Sequence, residues 1–255
     1  MTGLVKAELR KFFSTRLWWI MLLVVLAWTG LGLSLSIALA GMEGQPARDT
    51  VEFQQMAWIY GGGTSSFTMI LGIVMMTSEY RHRTFNSTFL VTPVRGRVIV
   101  AKLVTGLLVG LLFGAAVMTL TAAAVIPATL TAGGEFSPFA NEIPRMTAGV
   151  VAAITLYVLL GIGLGALIRN QVGAIMTGIV WTFLLETIVV SVPGLQEFGK
   201  WTPGGVTTAL YDTGADFGFG AAEVLPMGTA VALLTGYALL FSLIASFTTV
   251  RRDLV

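Results

Sequence analysis

Six apolar stretches dominate this sequence, running approximately from Leu17 to Ala40, Gln55 to Ser78, Leu103 to Leu130, Met146 to Ile168, Gln171 to Val192 and Val224 to Val250. Each reaches the roughly 20 residues that a helix needs to cross a hydrocarbon core about 30 Å thick. Inside a bilayer every backbone N–H and C=O must find its partner within the protein, so continuous apolar runs of this length resolve into helices. Only the fifth holds an ionisable residue, Glu186. Composition agrees, since charged residues make up 11% of the 255, against about 25% in a soluble domain. The expected fold is therefore an all-α membrane protein of six transmembrane helices. One transmembrane domain spans residues 1–255, because the longest stretch between spans, about Pro193 to Glu223, is too short for a soluble domain. Ala38-Leu39-Ala40-Gly41 resembles a signal-peptidase site, but the apolar run before it far exceeds the roughly 7–15 residues of a secretory segment, so the first helix is read as retained.

The charges give the orientation. With six spans both termini share one side, and that side holds Lys6, Arg10, Lys11, Arg16, Arg81, Arg83, Arg95, Arg97, Lys102, Arg169, Arg251 and Arg252. Only Arg48, Arg145 and Lys200 lie opposite. Lysine and arginine concentrate in cytoplasmic loops, so the chain is expected in the cell membrane, multi-pass, with both termini cytoplasmic. The net charge of +2 thus reports topology, and no groove-reading or stacking motif supports a nucleic-acid partner.

Ahead of the first span, Val5, Leu9, Phe12 and Phe13 share one helical face, with Lys6, Arg10 and Lys11 on the opposite flank. That pattern predicts an interfacial helix over about 3–15, apolar side toward the acyl chains and basic side among lipid headgroups. Small residues recur at spacing four at Gly106, Gly110 and Gly114, at Gly161 and Gly165, and at Ala174 and Gly178. Such stripes let helix backbones approach closely in lipid, and the sequence leaves open whether the partner helix belongs to the same chain.

Several chemistries are excluded. The absence of cysteine and the single histidine, His82, remove thiolate and multi-histidine metal sites and thiol nucleophiles. Gly194-Leu195-Gln196-Glu197-Phe198-Gly199-Lys200-Trp201 lacks the Ser or Thr that a phosphate-binding loop places after its lysine, and Gly161-Ile162-Gly163-Leu164-Gly165-Ala166 lies inside a span; both are chance matches. No base and nucleophile coincide at membrane depth, so the chain is expected to have no catalytic residues, no metal and no enzymatic activity of its own. Glu186, with Trp181 five residues before it, is a candidate for the substrate path, or else a carboxyl that reaches the outer interface or hydrogen-bonds a neighbouring helix.

The loop between spans two and three, Glu79 to Arg97, is longer than a connection requires. Its charged start, Phe85 and Phe89 at spacing four and the stop at Pro93 describe a short amphipathic helix with an aromatic face. A solvated basic loop and a knob that plugs into a cytoplasmic partner are both compatible with these residues alone.

Glu79 closing span two, Thr84, the Val91-Thr92-Pro93 step, Arg95 and then Ala101-Lys102 leading into span three together resemble the permease subunits of ABC-2 type exporters. One departure is Arg83, where that family usually carries a small residue. The resemblance implies an elbow helix at the N-terminus, a coupling helix over about 79–95, and an outer re-entrant segment over about 193–223. It implies that Glu79, Arg81, His82, Arg83, Thr84, Phe85, Thr88 and Phe89 dock on a separately encoded ATP-binding subunit, present in two copies and carrying the ATP and magnesium. It implies further a homodimer or a pairing with a related permease. The long apolar spans favour hydrophobic or amphipathic cargo such as a drug, peptide or lipid. The alternative is an ATP-independent carrier, or an immunity or scaffold membrane protein.

Overall fold

The computed structural model describes residues 1–81, 95–168, 170–192, 194–211 and 225–248. Among them there is no strand, and six helical segments are long and apolar enough to cross a membrane: Leu17–Leu39, Val51–Arg81, Gly96–Thr131, Ile143–Leu167, Gln171–Val189 and Met227–Ala245. The chain is thus an all-α, multi-pass membrane protein. An interfacial-length helix, α1 (Thr2–Ser14), precedes the first span, α2 (Leu17–Leu39).

The second span is not one helix. It runs as α3 (Val51–Trp58), a 3-10 turn over Ile59–Thr64 and α4 (Ser65–Arg81). Thr50 starts α3 by accepting a hydrogen bond from Phe53 N at 3.2 Å, the side-chain cap that satisfies a free helix-end donor. The run Gly61-Gly62-Gly63 carries no side chains to hold the α geometry, and the helix tightens there. The sequence reading treated Gln55 to Ser78 as continuous, although this glycine triplet was the available signal. The third span, α5 (Arg95–Thr131), has 37 residues and is therefore about 55 Å long, well beyond the hydrocarbon thickness. It begins eight residues before the expected Leu103.

The fourth span, α6 (Ile143–Leu167), is the axis of the bundle. It is the most buried of the six, with α4, α5 and the last span, α11 (Met227–Thr248), packed around it. The glycine stripes explain how they approach. A Cβ on Gly110 would stand 2.6 Å from Thr155 Cα, and one on Gly114 would stand 3.1 Å from Val151 Cα, so the stripe of α5 faces α6 of the same chain. On its other side, Gly161 lies against the Met69 carbonyl and Gly72 of α4 lies against the Val158 carbonyl. Thr68 Oγ1 donates to Ile154 O at 3.2 Å across the same crossing. Close backbone packing and interhelical hydrogen bonds replace the hydrophobic drive that lipid cannot supply.

The fifth span is α7 (Gln171–Ile179), a π-helical turn over Val180–Leu185 and α8 (Glu186–Ser191). It is the least buried of the six. After it, the short α9 (Gln196–Gly199) leads to α10 (Pro203–Tyr211), whose Val206, Ala209 and Leu210 are buried against the bundle. These crossings support a sharp contrast. Gly161→Val is expected to unfold or severely destabilise the purified chain, because the added atoms meet backbone. Gly236→Ala, where nothing lies within 4 Å, should leave thermal stability in detergent unchanged or raised by about 1 kcal/mol.

Candidate functional site: a buried charge junction and a distal carboxylate

Three helices meet at the end of the bundle that carries α1. Glu8 of α1, Glu79 near the end of α4 and Lys102 in the second turn of α5 are buried at 9%, 5% and 2% exposure. Lys102 Nζ donates to Glu8 Oε2 at 2.8 Å and to Glu79 Oε1 at 3.0 Å. Lys11 Nζ donates to Glu8 Oε1 at 2.7 Å and to Glu79 Oε1 at 2.8 Å. Two carboxylates and two ammonium groups therefore close a formally neutral ring with Lys102 inside and Lys11 at the rim. Removing charges from water is costly, and only mutual pairing of this quality offsets it. Glu79 Oε2 has no hydrogen-bond partner among the described residues.

Burial would pull the Lys11 ammonium down, but its hydrogen bonds to Glu79 and Glu8 and their negative charges prevail and hold it above the ordinary lysine value of 10.5. Its contribution to folding is therefore complete below about pH 10.5 and is lost only as pH rises through the higher folded value. Across the physiological range Lys11 therefore keeps its charge.

Sequence reasoning placed Lys11 with Lys6 and Arg10 on a headgroup-facing flank. Lys6 and Arg10 are exposed there, whereas Lys11 turns to the two carboxylates. Phe12 is buried and Phe13 is 43% exposed. Glu8 was not singled out, yet it stands three residues after Val5 and four before Phe12, on the inward stripe of α1. Its position in an apolar stripe was the signal.

Of the residues assigned to the coupling segment, Glu79 and Arg81 are described. Glu79 belongs to the ring, and Arg81 Nη1 reaches Gln171 Oε1 at the start of α7 at 3.5 Å. His82, Arg83, Thr84, Phe85, Thr88 and Phe89 lie outside the described residues. Their two stems do not: α4 ends at Arg81 and α5 begins at Arg95, and Glu79 and Lys102 bond one stem to the other.

A family model described as ABC-2 family transporter protein matches residues 4–185. The chain belongs to the ABC-2 transporter family. No curated protein matches the chain significantly. The family match contains all four residues of the ring and stops one residue before Glu186. In this ABC-2 protein the ring is thus part of the family region, and α8 to α11 lie beyond it.

The second polar constellation is at the opposite end. Glu186 Oε1 accepts from Trp181 Nε1 at 2.9 Å and from Gly204 N, in the first turn of α10, at 2.8 Å. The structure thus brings together the two residues proposed for a substrate path, and bonds the carboxylate to a neighbouring helix. A carboxylate at a helix N-terminus also meets the positive end of the backbone dipole. Gly204 is required by proximity, since a Cβ there would stand 2.8 Å from Glu186 Cδ. The π turn immediately before Glu186 re-aims the fifth span, as such turns do at functional positions. At its other end α10 places Tyr211 against the glycine turn of span two, its ring 2.6 Å from where a Gly62 Cβ would stand. One short helix therefore touches the 3-10 turn of span two and the residue that follows the π turn of span five.

Two outcomes follow. Lys102→Met strands two buried carboxylates on one half-exposed lysine and should cost about 3–5 kcal/mol of unfolding free energy in detergent micelles, whereas Lys11→Met, at the solvated rim, should cost about 1 kcal/mol. At the other end, the chain has no native cysteine, so Val206→Cys reports on α10 alone. Its maleimide labelling should accelerate about tenfold when Glu186→Leu removes the bond to Gly204 N, a lost hydrogen bond of roughly 1.5 kcal/mol. Glu186→Gln keeps an acceptor and should stay within about threefold of the parent.

Proposed function

We propose that this ABC-2 family protein is the permease subunit of an exporter, with no ATPase activity of its own. It moves a hydrophobic or amphipathic substrate such as a drug, peptide or lipid, powered by ATP hydrolysed on a separate subunit that holds ATP and magnesium. Two copies of that subunit serve two permease chains, either identical or related, with the N- and C-termini of each in the cytoplasm of the cell. Family membership supports the partnership with an ATP-binding subunit, and the orientation draws on the basic residues of the α1 end.

The observation that carries the mechanism is the ring of Glu8, Lys11, Glu79 and Lys102 at the root of the 82–94 segment. ATP-driven closure of the partner pair displaces that segment through Arg83, Thr84, Phe85 and Phe89. Because Lys102 bonds Glu79, the two stems move as one unit, and Glu8 and Lys11 carry α1 with them. The long, rigid α4 and α5 transmit the shift along the glycine-lined crossings to α6. Transport then follows from a change in the populations of inward- and outward-open states, driven by the different fit of ATP-bound and free partner to this surface. At the far end, α10 closes over the exit, tied by Glu186 and packed by Tyr211. A carrier that works without ATP would rely on Glu186 as its titrating group, and that carboxylate is already committed to two donors of its own chain.

The test is copurification with the ATP-binding protein encoded beside this chain, followed by ATP turnover in vesicles. A stable complex is expected. Phe85→Ala with Phe89→Ala, which removes both aromatic anchors, should weaken it by at least about 30-fold while membrane insertion is retained. A chain that purifies alone, with no candidate ATPase binding it, overturns the exporter reading.

A further inference from the structure

An open groove of about 700 Å³ lies between α5, α6 and α11, on the half of the bundle away from the charge ring. Leu111 forms one wall, Ala148 and Thr155 of α6 the floor, Val231 the other wall, and Pro138 and Phe139 the far end. The lining is almost wholly apolar. Its two hydroxyls are already used: Thr147 Oγ1 donates to Ile143 O at 2.8 Å and accepts from Trp58 Nε1 at 2.9 Å, and Thr155 Oγ1 donates to Val151 O at 2.7 Å. A polar ligand would lose water here and gain no bond in return.

Length and end-charge select the occupant. Pro144 to Thr155 covers eleven helical steps, about 16 Å, which matches half of a hydrocarbon core about 30 Å thick. A groove one leaflet deep, apolar throughout and open to the side of a membrane-spanning bundle fits an acyl chain. At its far end stands Arg145, one residue after the lining Pro144 and on the same flank of α6 as Ala148 and Ala152. Its side chain is 41% exposed and, among the described residues, is ion-paired with Glu142 alone, at 3.6 Å and itself 54% exposed. An exposed pair at that distance contributes little, so a phosphate can displace the carboxylate. Arg145 is one of only three basic residues between spans on this side. Phe139, 89% exposed beside the groove mouth, is an aromatic ring at the level where such rings meet lipid headgroups.

We propose that this groove is a binding site for a single anionic phospholipid, with an acyl chain along α6 and the phosphate on Arg145. The site is independent of the export reading and needs only that the chain spans a membrane. The lipid fills the gap between α5 and α11 and fastens the start of α6, the helix on which the bundle is built.

The experiment reconstitutes the full chain in phosphatidylcholine vesicles doped with phosphatidylglycerol bearing a photoactivatable group in mid-chain, or with phosphatidylcholine bearing the same chain. Adducts are mapped by peptide mass spectrometry. They are expected to concentrate on Leu111 and residues 148–156, with phosphatidylglycerol favoured about fivefold, the effect of one basic residue near a charged surface. Arg145→Gln, at an exposed position, should bring that preference to one and leave the fold intact. Ala148→Trp, pointing into open space, should remove the adducts from both lipids. Labelling spread evenly over all six spans, a preference unchanged by Arg145→Gln, or adducts that persist in Ala148→Trp would overturn the proposal. So would photocrosslinks joining the grooves of two copies, since the occupant would then be a second chain.

Discussion

Three of the four charges at one end of the bundle have almost no water to turn to, and the architecture there is the consequence of their pairing. Lys102 and Glu79 are almost completely buried, and a charge taken out of water needs a partner to offset the cost. Each is stable only while the other is in place, and Glu8 and Lys11 complete the ring. A buried pair of this kind is weak evidence for extra stability, because well-packed apolar residues can do as well. What it supplies is geometry: three backbones that are far apart in sequence must stay within hydrogen-bond reach. That constraint fixes α1 to both stems of the 82–94 segment.

The rest of the bundle divides into a rigid centre and a loose periphery. Around α6 the backbones of α4 and α5 approach through glycine, and side chains have little room to repack. The first and fifth spans are far less buried, and their apolar side chains turn outward, where in a membrane they meet acyl chains. Irregular turns lie where the centre meets the distal helices: the 3-10 turn of span two, against which α10 packs, and the π turn of span five, which ends at the Glu186 that α10 binds. In the mechanism proposed above, a displacement at the charged end would reach the distal end through this core and arrive at elements whose hydrogen-bonding pattern is already broken. Such turns are places where a helix changes register at small cost.

Much of this was legible in the sequence because the relevant physics is local. A hydrophobic run of membrane length is a helix whatever its neighbours do, and all six were visible. Errors gathered at charged ends. Span three was read from Leu103, yet α5 starts at Arg95 and takes in Lys102, whose burial beside Glu8 and Glu79 nothing nearby in sequence reveals. Glu8 was passed over for the same reason: its neighbours in the stripe are apolar, and nothing nearby in sequence reveals partners 71 and 94 residues away. The carboxylate of Glu186 was noticed for its cost in the membrane, and Trp181 with it, but the amide of Gly204 that accounts for its place is eighteen residues away across a turn. The glycine triplet in span two was readable as a break. It was missed because mean apolarity over the span outweighed it.

By itself the sequence determined that the chain is helical, that it crosses a membrane six times, and that one end is far more basic than the other. These depend on length, apolarity and charge counted along the chain, and no partner can change them. Its glycine spacing also determined that some backbones would touch. Only the tertiary structure decided which ones, and which charges share a ring, because lipid is as apolar as the helices themselves and gives no directional preference. The choice falls to backbone contacts and to ionised groups that must find each other, and both are made across the fold.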